Sequence, residues 1–102
     1  MIDMEWIRRC VREQGYFFSR HGDRERRNDG LTLEEVEQAI FTGRILEQYD
    51  DTGRGASCLV VGFTHAGKPV HVVCGRWDEG MVIITVTIPT LPKFKTPFER
   101  GH

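Results

Sequence analysis

No stretch of this sequence is apolar for long enough to cross a bilayer; runs such as Met81–Thr85 fall far short of the ~20 residues required. The amino terminus, MIDMEWIRR, lacks the basic-then-apolar order of a secretory signal, so cytoplasm is the expected compartment. Cysteine is scarce. Cys10, Cys58 and Cys74 are odd in number and no two stand in a CxxC spacing, which argues against a disulfide framework. Each lies in an apolar segment and is expected to be a buried, reduced thiol acting as a small hydrophobe. A strong positive charge is missing too: at −1 the net charge does not advertise the molecule as a whole to nucleic acid. There is no internal repeat, and 102 residues leave no room for a second domain.

What is present is an ordinary globular composition, 39% apolar and 28% charged, too rich in Leu, Ile, Val and Phe for disorder. The pattern predicts an α+β domain over 1–102. Asp3 is a candidate N-cap for a helix with Met4, Ile7 and Val11 at helical spacing, closed by a left-handed Gly15. Tyr16–Ser19 reads as either a strand or a linker. Arg20–Asn28 is polar and rich in Arg and Glu, as a short exposed helix would be. Thr32-Leu-Glu-Glu35 is a capping box, followed by the stripe Leu33, Val36, Ile40 and a closing Gly43.

After Gly43 the period changes to alternation. Ile45–Tyr49, Ser57–Thr64, Pro69–Arg76 and Met81–Ile88 are strand candidates joined by short polar turns. Two to three helices packed on one face of a four-stranded, mainly antiparallel sheet is the expected architecture. The segment 89–102, with Pro89, Pro92 and Pro97, is expected to be an extended strap.

Strand parity turns this outline into a candidate site. In the last strand Val82, Ile84, Val86 and Ile88 share one face and are expected to pack under the helices, leaving Ile83, Thr85 and Thr87 on the other. In the preceding strand Val70, Val72 and Cys74 form the core-facing set, with His71, Val73 and Gly75 opposite. His71 and the threonines should therefore look out from one sheet surface. His21 opens the arginine-rich helix, so two histidines from different elements, with arginines near, form a constellation that acid–base chemistry can use. A zinc site built from His21, His71 and Cys74 is disfavoured because Cys74 has the opposite parity from His71. No metal and no cofactor is expected.

Four stretches in order, SRHGDRERRNDGLTLEEVEQAI, GRILEQYDDTGRGASCLVVGF, GKPVHVVCG and VIITVTIP, resemble the bacterial and archaeal family known as domain of unknown function 4258, over about residues 16–90. The closing strand reads ITVT where the family more commonly has ITVY, so Thr87 stands in place of an aromatic. That family is similar to the RelE-like and BrnT-like ribonuclease toxins. The resemblance therefore implies a RelE-like or barnase-like arrangement and a toxin–antitoxin setting, often beside a small zinc-finger antitoxin-like protein of the YgiT or MqsA type.

For function, the resemblance and the two histidines together lead to an expectation of metal-independent endoribonuclease chemistry on RNA. His21 and His71 would carry the proton transfers and Thr85 would orient the phosphate. Arg24 or Arg26 would hold the scissile phosphate, with Tyr49, Arg54 and Arg76 as further substrate contacts. The competing expectation is a non-catalytic interaction or accessory domain that binds the zinc-finger partner.

Overall fold

A computed structural model of the chain describes residues 1–51, 53 and 55–101. Three side-chain caps set the helices. Asp3 accepts from the Trp6 amide and starts α1 (Met4–Arg12), and Ser19 accepts from the Gly22 amide and starts α2 (Arg20–Asn28). Thr32 and Glu35 form the reciprocal capping box at the head of α3 (Leu33–Thr42). The left-handed residue after α1 is Gln14, at φ 58°, rather than Gly15. The Gly15 amide reaches back to the Cys10 carbonyl, which places the Schellman-type turn one residue earlier than glycine alone suggests.

The sheet has five strands in the order β1-β5-β4-β3-β2: β1 (Tyr16–Phe18), β2 (Arg44–Tyr49), β3 (Ser57–Phe63), β4 (Pro69–Trp77) and β5 (Gly80–Thr87). The four expected strands are there as an antiparallel set. A fifth, β1, is added in parallel on the outer edge of β5, so the sheet is mixed. Ile7, Cys10 and Val11 of α1 and Val36, Ala39 and Ile40 of α3 bury one sheet face together with Val60, Val70, Val72, Cys74, Met81, Ile83 and Val86. α3 lies so close to β3 that a Cβ at Gly62 would stand within 3.0 Å of the Ala39 backbone, which only glycine avoids. The three cysteines are buried and reduced, with Cys58 and Cys74 in register across β3 and β4, Sγ to Sγ 3.8 Å. Among the described residues no helix is long and apolar enough to cross a membrane.

The parity expected for β5 holds for Thr85, Val86, Thr87 and Ile88 and is overturned for Val82, Ile83 and Ile84. Cys74 pairs with Ile83 and Val73 with Thr85, leaving Ile84 as an extra residue in a β-bulge. The bulge resets the alternation. Met81 and Ile83 face the core before it and Val86 after it, while Val82 and Ile84 turn to the open face.

α2 docks at this bulge. The Ser19 amide donates to the Ile83 carbonyl and the Ser19 hydroxyl to the Ile84 carbonyl, so helix entry and bulge share one set of bonds. Beyond it, Glu25 accepts from the Val86 amide and Asp29 from the Ile88 amide. Four helical residues rise about 6 Å and two strand residues about 6.6 Å, so carboxylates at i and i+4 meet alternate amides of the strand. α2 thus takes the place of a neighbouring strand along this edge.

The proline-containing tail is not simply extended. It returns over the open sheet face as a small hairpin, β6 (Phe94–Thr96) with β7 (Glu99–Arg100). Phe98 packs on Phe63 and under the Arg44 guanidinium, and Phe94 is buried.

Gly22 is the point of closest approach of α2, since a Cβ there would stand 2.8 Å from the Ile83 carbonyl oxygen and 3.1 Å from that of Ile84. Gly→Ala in a helix ordinarily stabilises by up to about 1 kcal/mol. Gly22→Ala is expected to do the reverse, costing about 1–3 kcal/mol and lowering Tm by at least about 5 °C in thermal unfolding. An unchanged or higher Tm would contradict this docking.

Candidate functional site

The face of the sheet away from α1 and α3 carries the polar residues. His71 pairs with Thr87 and Val73 with Thr85, which places both threonines beside the histidine strand, as parity on β4 anticipates. With Val70, Val72 and Cys74 fully buried on the other side, His71 projects onto the open face. There it meets a cavity of about 320 Å³, lined by His21 and Glu25 of α2, Tyr49 of β2, Leu59 of β3, His71 and Val73 of β4, Thr85 and Thr87 of β5, and Lys93, Phe94 and Arg100 of the tail. At roughly 30 Å³ per water this holds about ten water volumes, room for a phosphate and its attached sugar. Folding brings His21, His71, Thr85 and Tyr49 together at this one site.

The two imidazoles sit in opposite surroundings. His71 is 2% exposed, with the Phe94 ring edge-on at 4.3 Å and its Nε2 2.7 Å from the Pro97 carbonyl oxygen. A carbonyl can only accept, so Nε2 carries the proton and the neutral ring keeps its lone pair on Nδ1. No described side-chain nitrogen or oxygen is both buried and unpaired, and among the described residues Nδ1 has no hydrogen-bond partner, so Nδ1 is not wholly sealed from solvent. Burial pushes the His71 pKa below the ordinary imidazole value; the Pro97 carbonyl and Glu47 oppose this and Arg100 adds to it. His21 has a side chain 61% exposed, and its Nε2 is 3.3 Å from Glu25 Oε1, the oxygen that also accepts from the Val86 amide. Glu25 is a cavity-lining carboxylate that sequence reasoning passed over, although its i+4 spacing from His21 was visible.

A second buttress comes from the tail. Arg100 donates from Nε and Nη2 to the two Glu47 oxygens, each at 2.7 Å, and the Tyr49 hydroxyl donates to Glu47 at 2.6 Å. Arg100 holds the Glu47 carboxyl down at about 2. Burial, with the adjoining Glu47, pushes the Tyr49 phenol up to about 12, so Tyr49 remains a neutral donor.

The arginines expected to hold phosphate are placed otherwise. Arg26 is largely buried, bonded to Asp23 and to the Leu31 carbonyl and lying over the Phe18 ring at 5.6 Å, so its fork ties α2 to the start of α3. Arg24 is exposed on α2 and does not line the cavity. Arg76 stacks on the Trp6 ring at 4.2 Å and borders a different cavity. Arg54 lies outside the described residues. Among the described residues the cations lining the His21/His71 cavity are Lys93 and Arg100, supplied by a tail whose prolines carry no periodic signal. Cys74 sits on the core face, across the sheet from His71, and cannot join the two histidines around a metal.

Because the folded-state pKa of His71 is depressed, neutral His71 contributes stability that is present above about pH 6.5 and lost as pH falls through the lowered value. Wild-type Tm is expected to fall between about pH 7.5 and pH 5, and His71→Gln, which keeps a donor for Pro97, should remove part of that fall. Equal falls in the two proteins would show that His71 is not held neutral.

No curated protein and no solved structure matches the chain. The family model described as "Domain of unknown function (DUF4258)" matches residues 18–88, from the end of β1 to just past β5, a span that contains α2, the bulge and both histidines. The chain belongs to the DUF4258 family.

Proposed function

We propose that the open sheet face is the reactive surface of a metal-independent endoribonuclease of the toxin type, in a barnase-like or RelE-like arrangement of helices on a sheet. One observation carries this reading: His21 and His71, far apart in sequence, line a single cavity with Thr85, Thr87 and Lys93. In the proposed reaction the His71 Nδ1 lone pair takes the ribose 2′-OH proton. The 2′-oxygen attacks phosphorus, the P–O5′ bond breaks, and a 2′,3′-cyclic phosphate forms. His21, protonated and exposed at the mouth, gives its proton to the departing 5′-oxygen. Lys93 and the Thr85 hydroxyl stabilise charge on the non-bridging oxygens. Depressed basicity at His71 keeps that ring in the form a base requires.

A non-catalytic interaction domain, docking a small zinc-finger antitoxin-like protein, is the second reading. It draws on the closure of Phe94 and Pro97 over His71. The assay that separates the two is cleavage of RNA at low salt in the presence of chelator, with growth arrest on expression as the cellular counterpart. His71→Ala and His21→Ala are each expected to lower the rate by about a hundredfold or more, with His71→Gln as the folding control. Undiminished cleavage by His71→Ala ends the catalytic assignment. Absence of both RNA binding and cleavage by the folded wild type leaves the interaction reading.

A further inference from the structure

Beyond Tyr49 the same sheet face opens into a larger cavity of about 670 Å³, within the size range of small-molecule sites. Its floor is Gly75, in register with Ser57 on one side and Val82 on the other. A Cβ at Gly75 would stand 3.0 Å from the Ala56 carbonyl oxygen, 3.4 Å from Ser57 Cβ and 3.6 Å from Ile84 Cδ1, so a side chain there would fill the floor. Ile84 reaches this floor beside Val82, with which it shares a face before the strand register shifts. At the rim Trp77 is 60% exposed, held edge-on by Phe17 at 6.3 Å. Tyr49 walls both this cavity and the one that holds the histidines.

We propose that this cavity is a nucleobase subsite, receiving the base of a nucleotide whose sugar and phosphate occupy the His21/His71 cavity. The inference rests on the ribonuclease reading and names how the substrate is held. The two cavities adjoin along β4, with Val73 flooring one and Gly75 the other, about 6.6 Å apart at two strand residues, on the scale of one nucleotide. A mostly apolar slot with an exposed tryptophan, next to a cavity bearing lysine and arginine, is the pairing that single-stranded nucleic acid requires. The base stacks where the surface is flat and apolar, and the phosphate sits where charge is available. Ser57, in register with Tyr49 and Gly75, lies at the edge, where a base presents its donors and acceptors.

The test is equilibrium binding of uridine and adenosine 3′-monophosphates against inorganic phosphate, followed by NMR at low salt. Wild type should bind at least one nucleotide about tenfold or more tightly than phosphate. Trp77→Ala and Gly75→Val should each lower nucleotide affinity about tenfold while leaving phosphate binding unchanged, and His71→Ala should keep the preference for nucleotide. Trp77 is exposed, so its variant reports even if Gly75→Val does not fold. Equal affinity of wild type for nucleotide and phosphate overturns the subsite, as does an undisturbed preference in Trp77→Ala. A wild type that is dimeric in solution and becomes monomeric on Trp77→Ala would mark the cavity as an interface between copies and also overturn it. Nucleotide preference without RNA cleavage would leave the subsite and remove the ribonuclease reading; cleavage that both variants leave intact would remove the subsite alone.

Discussion

The placement of α2 along the outer edge of β5 is the constraint on which the candidate site depends. A strand edge exposes amides that must find partners, and a buried amide left unpaired costs about 1–3 kcal/mol. β1 satisfies β5 up to Ile83 and then stops. From there Ser19, Glu25 and Asp29 bond the backbone of residues 84–88, and they can do so only with the helix pressed against the strand, which Gly22 permits. This edge contact fixes His21 at the rim of the open face. It also gives Glu25 two tasks with one oxygen, since the carboxylate that closes the Val86 amide is the one that faces the His21 ring. Fold and site therefore share a bond here.

The tail makes a different kind of contact. Its one strong ionic tie, Arg100 to Glu47, is bidentate but more than a quarter exposed on each side, where such pairs contribute at most about 1 kcal/mol. Phe94 against His71 and Phe98 against Phe63 hold the rest by apolar contact. The hairpin is thus attached by a few side chains rather than by pairing with the sheet, which it leaves as a separate two-stranded unit. It does more than cover the face. Pro97 selects the His71 tautomer, Lys93 brings a cation, and Arg100 fixes the Glu47 carboxylate beneath Tyr49. The tail is part of the site, although the family match ends at residue 88.

Much of this could be read from the residues in order. The caps at Asp3 and Thr32, the four antiparallel strands and the shared face of His71, Thr85 and Thr87 arise from local chemistry and alternation, which act over a few residues. The bulge at Ile84 could not be read that way. A run of Val and Ile suits either face, so nothing in Met81–Ile88 says where the register slips; the edge bonds from Ser19 lie far off in sequence. The same holds for Arg26. Its charge suggested phosphate, but Asp23 on the same helix face and the Leu31 carbonyl just beyond it claim its donors first. An arginine-rich stretch does not reveal which of its members are already engaged. The tail's return was hidden for a third reason, because prolines remove periodicity without saying where the chain goes next.

Acid–base catalysis by two histidines needs the rings to differ, since one must be neutral while the other holds a proton. In the proposed reaction the surroundings of the two rings would supply that difference. His71 stands on a central strand, closed over by an aromatic ring and bonded through Nε2 to a carbonyl, and burial disfavours its charged form. His21 stands on a helix at the sheet edge, open to solvent, with Glu25 Oε1 3.3 Å from its Nε2. The assignment of base to His71 and acid to His21 in the proposed reaction thus comes from which element carries each ring, and that is decided by the sheet order and by the edge that α2 covers.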